Sequence, residues 1–270
     1  FRDNGIKFFG PDGFKLSDQV ENEIQDLLEN GVELANSDKI GRAQRIDDGL
    51  FRYVERAKST FPSGMRLDGI KVVVDCANGA AYRAAPEVLW ELGAEVIPLG
   101  VNPNGVNINA DCGSTYPQIA AETVIAHNAD VGLCLDGDAD RLIIIDEQGK
   151  VADGDQLMAL LAQRWSSEGR LNGGALVTTI MSNLGLERYL EDQGITLERT
   201  QVGDRYVVAR MRAGGFNLGG EQSGHIVMSD YSTTGDGLMA GLQFLAEIIQ
   251  TGQPPNGLVG VFVAVPQLVK

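Results

Sequence analysis

Six residues in the middle of the chain, Asp-Gly-Asp-Ala-Asp-Arg at 136–141, separate two short apolar runs. The runs, Val131–Leu135 and Leu142–Ile145, are rich in Val, Ile and Leu, which predicts two buried β-strands. In extended backbone, residues i, i+2 and i+4 point the same way, so the three aspartates can converge on one point. Converging carboxylates repel one another without a cation, and hard divalent cations such as Mg2+ prefer oxygen ligands. The predicted metal ligands are Asp136, Asp138 and Asp140.

Two other interpretations of residues 136–141 stay open at this point. Asp and Gly are common in solvated turns between strands, so a surface turn without a ligand is one alternative. A calcium loop also carries Asp at its positions 1, 3 and 5, and Glu147 falls at position 12. That loop needs glycine at position 6, where this chain has Arg141, and it needs helices on both sides. A magnesium-type site therefore explains the pattern best.

Length and charge limit the classes of protein to consider. With 270 residues, the chain is long enough for two domains and part of a third. Its net charge of −15 argues against non-specific nucleic-acid binding, which needs a basic surface. No apolar run approaches the roughly 18 residues of a membrane span, and we expect no signal peptide. We therefore expect a cytoplasmic protein with no nucleic-acid or membrane partner.

The three cysteines, Cys76, Cys112 and Cys134, show no CxxC spacing. A zinc site or a disulfide framework is therefore not indicated, and we expect buried free thiols in a reducing cytosol. Residue 1 is Phe and not Met, which favours a chain excised from a longer protein.

Hydrophobic periodicity and turn signals divide the chain into three segments. Residues 1–64 combine a Gly-rich start with two amphipathic helices, but they carry too little apolar pattern for a core of their own. Strand-like and helix-like stretches then alternate, which predicts an α/β architecture. We expect the tail of a first domain at 1–64 and two consecutive mixed-sheet α/β domains at 65–150 and 151–265. The second of these domains is expected to end in a strand at 261–265.

A polar loop at 220–225 also lies at the end of a predicted strand. It offers a carboxylate, an amide, a hydroxyl and an imidazole, and its glycines let a ligand approach the backbone. Glu221 and Ser223 are suitable partners for sugar hydroxyls, and His225 titrates near neutral pH and could move a proton. A polar surface turn explains this loop equally well.

Two further candidates give weaker signals. The loop Gly203-Asp204-Arg205 could present its arginine to a phosphate, or hold itself together through an Asp–Arg pair. Lys7 follows an early Asn-Gly turn signal, and composition alone favours a solvated lysine at that position.

Taken together, these loops resemble the α-D-phosphohexomutase superfamily over essentially the whole chain, and most closely its bacterial glucosamine-phosphate branch. Residues 136–141 resemble the metal loop of the superfamily, and residues 220–225 its sugar loop, GE-x-SGH. The stretches 74–80 and 202–207 resemble the glucosamine branch, and residues 3–7 resemble the segment that follows the active serine. The two loops at this order and separation are a strong joint signal.

The resemblance implies an enzyme in which a phosphoserine passes its phosphoryl group to a hexosamine phosphate, and the bisphosphate then reorients and returns the other group. The product would be glucosamine 1-phosphate, used for UDP-N-acetylglucosamine and the cell wall, and a homodimer stays open. The implied roles are Mg2+ binding by Asp136, Asp138 and Asp140, neutralisation of the phosphoryl group by Lys7 and Arg141, substrate binding by Gly203, Asp204, Arg205, Glu221 and Ser223, and acid–base chemistry by His225.

Three departures from the superfamily qualify this expectation. The active serine motif would precede residue 1, and the fourth domain would follow residue 270, with residues 266–270 starting the linker to it. We therefore expect the chain alone not to turn over substrate, and to bind Mg2+ more weakly than the complete protein. Ala139 stands where many members have glycine, and its methyl group is not expected to abolish metal binding.

Two other functions stay open. A phosphomannomutase or phosphoglucomutase of the same superfamily would share the metal loop, although residues 203–207 favour glucosamine. A non-catalytic module that binds a metal or a sugar phosphate would need no active serine.

Overall fold

Two β-sheets organise the computed structural model, which describes residues 7–267. The α-helices in this range are α1 (Asp18–Asn30), α2 (Gly49–Ser59), α3 (Ala84–Glu91), α4 (Gln118–His127), α5 (Gly154–Ser167), α6 (Leu184–Asp192), α7 (Asp204–Gly214), α8 (Gly237–Thr251) and α9 (Pro255–Leu258). The strands are β1 (Lys71–Asp75), β2 (Glu95–Leu99), β3 (Val131–Leu135), β4 (Leu142–Ile145), β5 (Val151–Ala152), β6 (Ala175–Thr179), β7 (Thr196–Thr200), β8 (Leu218–Gly220) and β9 (Ile226–Met228). None of the helices within residues 7–267 combines the length and the apolar character that a membrane span requires.

The first sheet has the strand order β2-β1-β3-β4-β5. β1 pairs in parallel with β2 and β3, whereas β4 and β5 add antiparallel pairs at the other edge. Helix α4 covers one face of this sheet, and α3 and α8 cover the other, which explains the continuous apolar runs of β3 and β4. Because β1 and β3 are parallel, the loops that follow Asp75 and Leu135 lie at the same edge.

The second sheet has the order β7-β6-β8-β9. β6 pairs in parallel with β7 and β8, and β9 closes the sheet with an antiparallel pair in which Gly220 lies opposite Ile226. The polar residues 221–225 are therefore the turn of a β-hairpin. The α/β class with two mixed sheets is confirmed.

Helix α8 follows the second sheet in the chain, yet it packs on β3 and β4 of the first sheet. A β carbon at Gly241 of this helix would lie 3.1 Å from the Leu133 side chain and 3.5 Å from that of Leu142. The helix contacts β9 as well, and one continuous hydrophobic cluster runs through both sheets. The two sheets therefore share a core instead of meeting through a polar linker.

The first segment agrees in part with the sequence expectation. Helix α1 begins after Ser17, whose Oγ accepts a hydrogen bond from the Val20 N–H at 3.4 Å, but none of its residues is buried. Val54 and Ala57 of α2 are buried, and α2 packs against α3. The early Asn-Gly turn lies outside the described residues. The domain boundaries at residues 64, 150 and 265 stay predictions.

All three cysteines are free and buried, as the sequence predicts. Burial raises the pKa of each thiol above its ordinary value, and the nearby Asp75 carboxylate adds to the effect. The thiols are therefore protonated and behave as small apolar side chains at neutral pH.

The prediction of a strand at 261–265 is wrong, because these residues form no ladder with either sheet. The side-chain amide of Asn183 instead supplies hydrogen-bond partners for the backbone of Val265. Asn183 Nδ2 donates to the Val265 carbonyl oxygen at 2.9 Å, and Asn183 Oδ1 accepts from the Val265 N–H at 2.8 Å. Since backbone groups need partners but not necessarily a sheet, this segment can follow the surface without pairing.

Gln156 holds the start of the same segment. Its Oε1 accepts from the Gly260 N–H at 3.0 Å, and its Nε2 donates to the Phe262 carbonyl oxygen at 3.1 Å. The short strand β9, by contrast, was not predicted, because its three residues are too few for an alternating pattern.

Replacing Asn183 with Ala should loosen residues 260–267. The Val265 N–H loses its acceptor, and we expect its hydrogen exchange to accelerate by about fivefold, since one such bond contributes roughly 1 kcal/mol. Mass spectrometry with proteolysis measures this exchange. Asn30→Ala is the matched control, because within residues 7–267 the Asn30 side chain bonds only inside α1, to the Asp26 carbonyl oxygen. Unchanged exchange at Val265 in the Asn183 variant would contradict this role.

Candidate metal centre

The three aspartates of residues 136–141 converge, as their spacing predicts. A carboxylate oxygen from each of Asp136, Asp138 and Asp140 lies within 4.8 Å of the other two. The loop turns tightly between β3 and β4: the Ala139 N–H donates to the Asp136 carbonyl oxygen at 3.1 Å, and the Arg141 N–H donates to Asp136 Oδ1 at 3.1 Å. Three carboxylate oxygens this close could hold a metal ion that prefers hard oxygen ligands. Strands flank the loop, which excludes the helix-flanked calcium loop.

Lys7 lies against this carboxylate cluster. Its Nζ pairs with Asp138 and lies 2.5 Å from Asp140 Oδ2. Burial would lower the pKa of Lys7, but hydrogen bonds to the two carboxylates outweigh it and raise the pKa to about 12. The ammonium is therefore fully protonated at neutral pH and offsets part of the repulsion within the cluster.

Asp136 and Asp138 differ in how readily they ionise. Burial first, and then the charge of Asp140, raise the pKa of Asp136 to about 7. Burial also opposes ionisation of Asp138, but its pairing with Lys7 outweighs this and lowers the Asp138 pKa below its ordinary value. The protein thus compensates the charge of Asp136 less than that of Asp138.

Arg141 extends from the end of the loop with its side chain 46% exposed. Its Nε lies 4.0 Å from Asp136 Oδ2 and 4.0 Å from Asp140 Oδ1. The guanidinium therefore borders the carboxylates without a close hydrogen bond to either, and it has donors that can turn toward a ligand.

The hairpin turn at 221–225 lies directly beside this loop. The Leu142 N–H donates to the Gly224 carbonyl oxygen at 3.0 Å. The backbones of Arg141 and His225 form an isolated antiparallel β-bridge. Glu221 Oε1 accepts from the Gly203 N–H at 3.1 Å, whereas Ser223 is exposed. The structure thus brings the two loops together, although about eighty residues separate them in the sequence.

His225 is 2% exposed and lies between two carboxylates. Its Nε2 is 3.6 Å from Asp140 Oδ2 and 3.7 Å from Asp204 Oδ2. Among the described residues, neither ring nitrogen has a hydrogen-bond partner. Burial lowers the pKa of His225, and the two carboxylates oppose the shift only in part, so the imidazole is neutral at pH 7.

The loop at 203–205 binds residues of the first segment. Asp204 pairs with Lys15, and this pairing outweighs burial and lowers the Asp204 pKa. Arg205 pairs with Asp18 and lies 3.5 Å from Glu21. The alternative of an internal Asp–Arg pair is therefore not observed, since both charged residues of the loop pair with the first segment.

Sequence reasoning missed two contacts beside the centre. One is Lys15, which no motif distinguishes from other surface lysines. The other is the Tyr53 hydroxyl, which donates to the Asp236 carboxylate at 2.9 Å; Asp236 caps α8 by accepting from the Met239 N–H at 2.8 Å. Both contacts join residues more than 180 positions apart, and short-range patterns carry no signal for them.

Ala139 adopts a left-handed backbone conformation with φ near +62°. An L-residue with a β carbon is strained there, so Ala139→Gly should raise the free energy of unfolding by about 0.5–1 kcal/mol after the extra flexibility of glycine is subtracted. Urea denaturation measures this free energy of unfolding. Ala209→Gly is the matched control, since this exposed alanine lies inside α7. The control substitution should lower the free energy of unfolding by about 1 kcal/mol. Equal losses in both variants would show that Ala139 is not strained.

Asp136→Asn should stabilise the metal-free chain at pH 8. Because the folded-state pKa of Asp136 is raised to about 7, the ionised carboxylate costs free energy above that pH. The cost fades as pH falls toward the unfolded pKa of about 4. We expect a gain of about 2–4 kcal/mol at pH 8 that shrinks by pH 5, measured by urea denaturation in EDTA.

Asp138→Asn is the internal control for this measurement. The Asp138 pKa is lowered by Lys7, so its neutral replacement should destabilise the chain at pH 8. Stabilisation by both variants, or by neither, would contradict the assignment of the uncompensated charge to Asp136.

Comparison with known proteins agrees with this geometry. Two family models match: phosphoglucomutase/phosphomannomutase α/β/α domain II over residues 51–149 and domain III over residues 153–264. The phosphoglucosamine mutase of a Ruegeria species is 72% identical over 268 residues, which cover 99% of this chain and 60% of that protein. The phosphoglucosamine mutase of Ruegeria pomeroyi is 70% identical with the same coverage.

A solved structure shares the fold. The phosphoglucomutase/phosphomannomutase family protein of Burkholderia thailandensis matches with a TM-score of 0.79 and 26% identity, covering 92% of this chain and 53% of that one. The chain spans 60% of the length of the two curated relatives above. Both family models and both curated relatives thus point to the same family: the chain belongs to the phosphoglucomutase/phosphomannomutase family of the α-D-phosphohexomutase superfamily.

Proposed function

We propose that the complete protein containing this chain is a phosphoglucosamine mutase. It would convert glucosamine 6-phosphate into glucosamine 1-phosphate through a phosphoserine and a bisphosphate intermediate, for UDP-N-acetylglucosamine and peptidoglycan. The observation that carries the proposal is the identity of 72% and 70%, over 99% of the chain, to two proteins of that name. The 270 residues alone are not expected to turn over substrate, because the phosphoserine of the superfamily belongs to a motif that they do not contain.

Mg2+ is the metal that suits the carboxylate cluster. Asp136, Asp138 and Asp140 offer only hard oxygen ligands, without the imidazole or thiolate that zinc prefers. When bound, Mg2+ supplies positive charge beside the phosphoryl oxygens. The task of the chain itself is to hold the three carboxylates on one side of the loop.

Lys7 and Arg141 are the proposed partners of the phosphoryl group during transfer. The pKa of Lys7, about 12, keeps its ammonium charged at neutral pH, and arginine is always protonated. Both cations border the carboxylate cluster, where a phosphoryl group would meet the loop. Phosphoryl transfer depends mainly on such positioning and charge stabilisation.

The hairpin turn at 221–225 is the proposed sugar site. The carboxylate of Glu221 accepts hydrogen bonds and the hydroxyl of Ser223 donates or accepts them, which suits sugar hydroxyls. Gly203, Asp204 and Arg205 are proposed to complete the substrate site, because Gly203 binds the Glu221 carboxylate directly.

His225 is the proposed general acid or base. Its neutral imidazole can accept a proton from a hydroxyl at pH 7. Asp140 and Asp204, at 3.6 and 3.7 Å from Nε2, would stabilise the imidazolium that results.

The chain's composition supports a small-molecule substrate in a reducing compartment. The net charge of −15 disfavours a nucleic acid, and three free buried thiols suit the cytoplasm, which we propose as the location.

A phosphomannomutase or phosphoglucomutase is the second candidate, because the two family models and the Burkholderia structure carry those names. Both candidates predict the same metal cluster. They differ in the sugar that the hairpin turn at 221–225 accepts, so only substrate comparison separates them.

The complete protein, with its serine phosphorylated, should turn over glucosamine 6-phosphate with a kcat/KM roughly 100-fold above those for glucose 6-phosphate and mannose 6-phosphate, since polar recognition of the amine discriminates strongly. Coupled assays with each sugar phosphate measure these values. A preference for mannose or glucose phosphate would favour the second candidate.

The same assay tests the metal cluster. Asp138→Ala should lower kcat by at least about 100-fold without unfolding the protein, because it removes a metal ligand and the partner of Lys7. Asp192→Ala, at an exposed position of α6, is the matched control and should leave kcat unchanged. Near-normal turnover in the Asp138 variant would mean that the cluster is not the reaction centre.

A further inference from the structure

The loop at 136–141 is anchored to the rest of the protein through the main chain of Gly137, which lies between two of the proposed ligands. The Gly137 carbonyl oxygen accepts a hydrogen bond from the Ala80 N–H at 2.8 Å. Ala80 begins the short 3-10 turn that leads into α3. This bond fixes the peptide unit that joins Gly137 to Asp138, and with it the direction in which the Asp138 side chain leaves the backbone.

Gly79 allows the main chains to come this close. A β carbon at Gly79 would overlap the carbonyl group of Gly137, so no other residue fits without displacing the loop. The backbone of Gly79 has φ −112°, an ordinary value for any residue. The constraint at this position is therefore close approach and not conformational freedom.

A second segment contacts the same residue. A β carbon at Gly137 would lie 2.8 Å from Asn109 Nδ2 and 2.8 Å from the Ile108 side chain. The Asn109 N–H in turn donates to the Ala77 carbonyl oxygen at 2.9 Å. Gly137 is thus held by two supporting loops, residues 76–80 and residues 108–113, that are bonded to each other.

Asp75, at the end of β1, ties both supporting loops together. Its Oδ1 accepts from the Ala77 N–H at 2.9 Å, and its Oδ2 accepts from the Gly113 N–H at 2.8 Å. The residue is 1% exposed, and within residues 7–267 no lysine, arginine or histidine forms an ion pair with it. An unpaired buried carboxylate is costly, and the two backbone bonds offset that cost only if the loops keep this geometry.

The conformation of the first supporting loop also depends on these bonds. Ala77 and Asn78 both have positive φ, at 52° and 49°. Left-handed backbone at two successive residues with β carbons is strained and persists only where the surroundings fix it. Here the Asp75 bond to Ala77, and the bond from the Asn78 N–H to the Gly100 carbonyl oxygen at 2.7 Å, supply that restraint.

We propose that Asp75 and Gly79 are positioning residues for the metal loop: they fix Gly137 so that the flanking carboxylates converge on a cation. The inference rests on the proposed function, since it concerns the metal of that site. Neither residue is one of the three proposed metal ligands. Groups that orient the ligands of a metal typically change its affinity by 10–100-fold when they are altered.

The test is cation affinity in the folded chain, with Mn2+ as the probe because electron paramagnetic resonance counts unbound Mn2+ directly, and Mg2+ as the competitor. We expect Gly79→Ala and Asp75→Asn each to weaken binding by about tenfold or more. The Asp75→Asn substitution leaves the size of the side chain unchanged. One of the two backbone N–H groups that Asp75 binds would then face the amide NH2 group, which cannot accept a hydrogen bond.

Two matched controls separate positioning from general loss of stability. Gly41→Ala adds a β carbon where no heavy atom lies within 4 Å. Asp155→Asn changes another fully buried carboxylate, which accepts from the Asn183 N–H at 2.7 Å and lies outside the metal centre. Both controls should keep the affinity of the unaltered chain, whichever way Asp155→Asn shifts the unfolding temperature.

Full affinity in both test variants, with binding by the unaltered chain, would overturn this inference and leave the proposed function intact. Absence of binding by the unaltered chain would overturn the proposed metal site and this inference with it. If Gly79→Ala no longer unfolds cooperatively, the isosteric Asp75→Asn decides. Because affinity is measured per folded molecule, a purely structural role for Asp75 would lower the unfolding temperature without weakening Mn2+ binding, and that outcome also counts against the inference.

Discussion

The mutual repulsion of three carboxylates on one short loop is the constraint on which the rest of the site depends. Burial removes water that would screen these charges, and the pKa of Asp136 rises to about 7 as a consequence. The Lys7 ammonium offsets part of this repulsion, and the main-chain contact to Gly137 holds the loop in place. A loop under such repulsion would otherwise open. The positive charge of Lys7 and the main-chain contact to Gly137 both oppose this opening.

The same loop joins the two sheets. The Leu142 N–H bonds to the Gly224 carbonyl oxygen at 3.0 Å, and the Gly237 N–H at the start of α8 bonds to the Ala139 carbonyl oxygen at 2.9 Å. The carboxylates of one domain and the polar hairpin turn of the next are thus fixed relative to each other by backbone bonds. Such bonds tolerate little movement, which suits a site where charge must be placed accurately.

Local patterns were enough to predict the strands beside residues 136–141 and the convergence of the aspartates, because an apolar run and a period of two residues are short-range signals. They failed for residues 261–265, where the side chain of Asn183 replaces a partner strand. They also missed Lys15, whose partner Asp204 is 189 residues away. Contacts of this kind depend on the assembled fold, and no single stretch of sequence contains them.

The position of α8 has a consequence for how this architecture can be divided. The helix follows the second sheet in the chain and completes the core of the first by packing on β3 and β4. Cutting the chain between the two sheets would expose an apolar face on the first and leave an apolar helix without its partner on the second. Exchange of either unit with that of a relative in an engineered chimaera therefore has to preserve this interface.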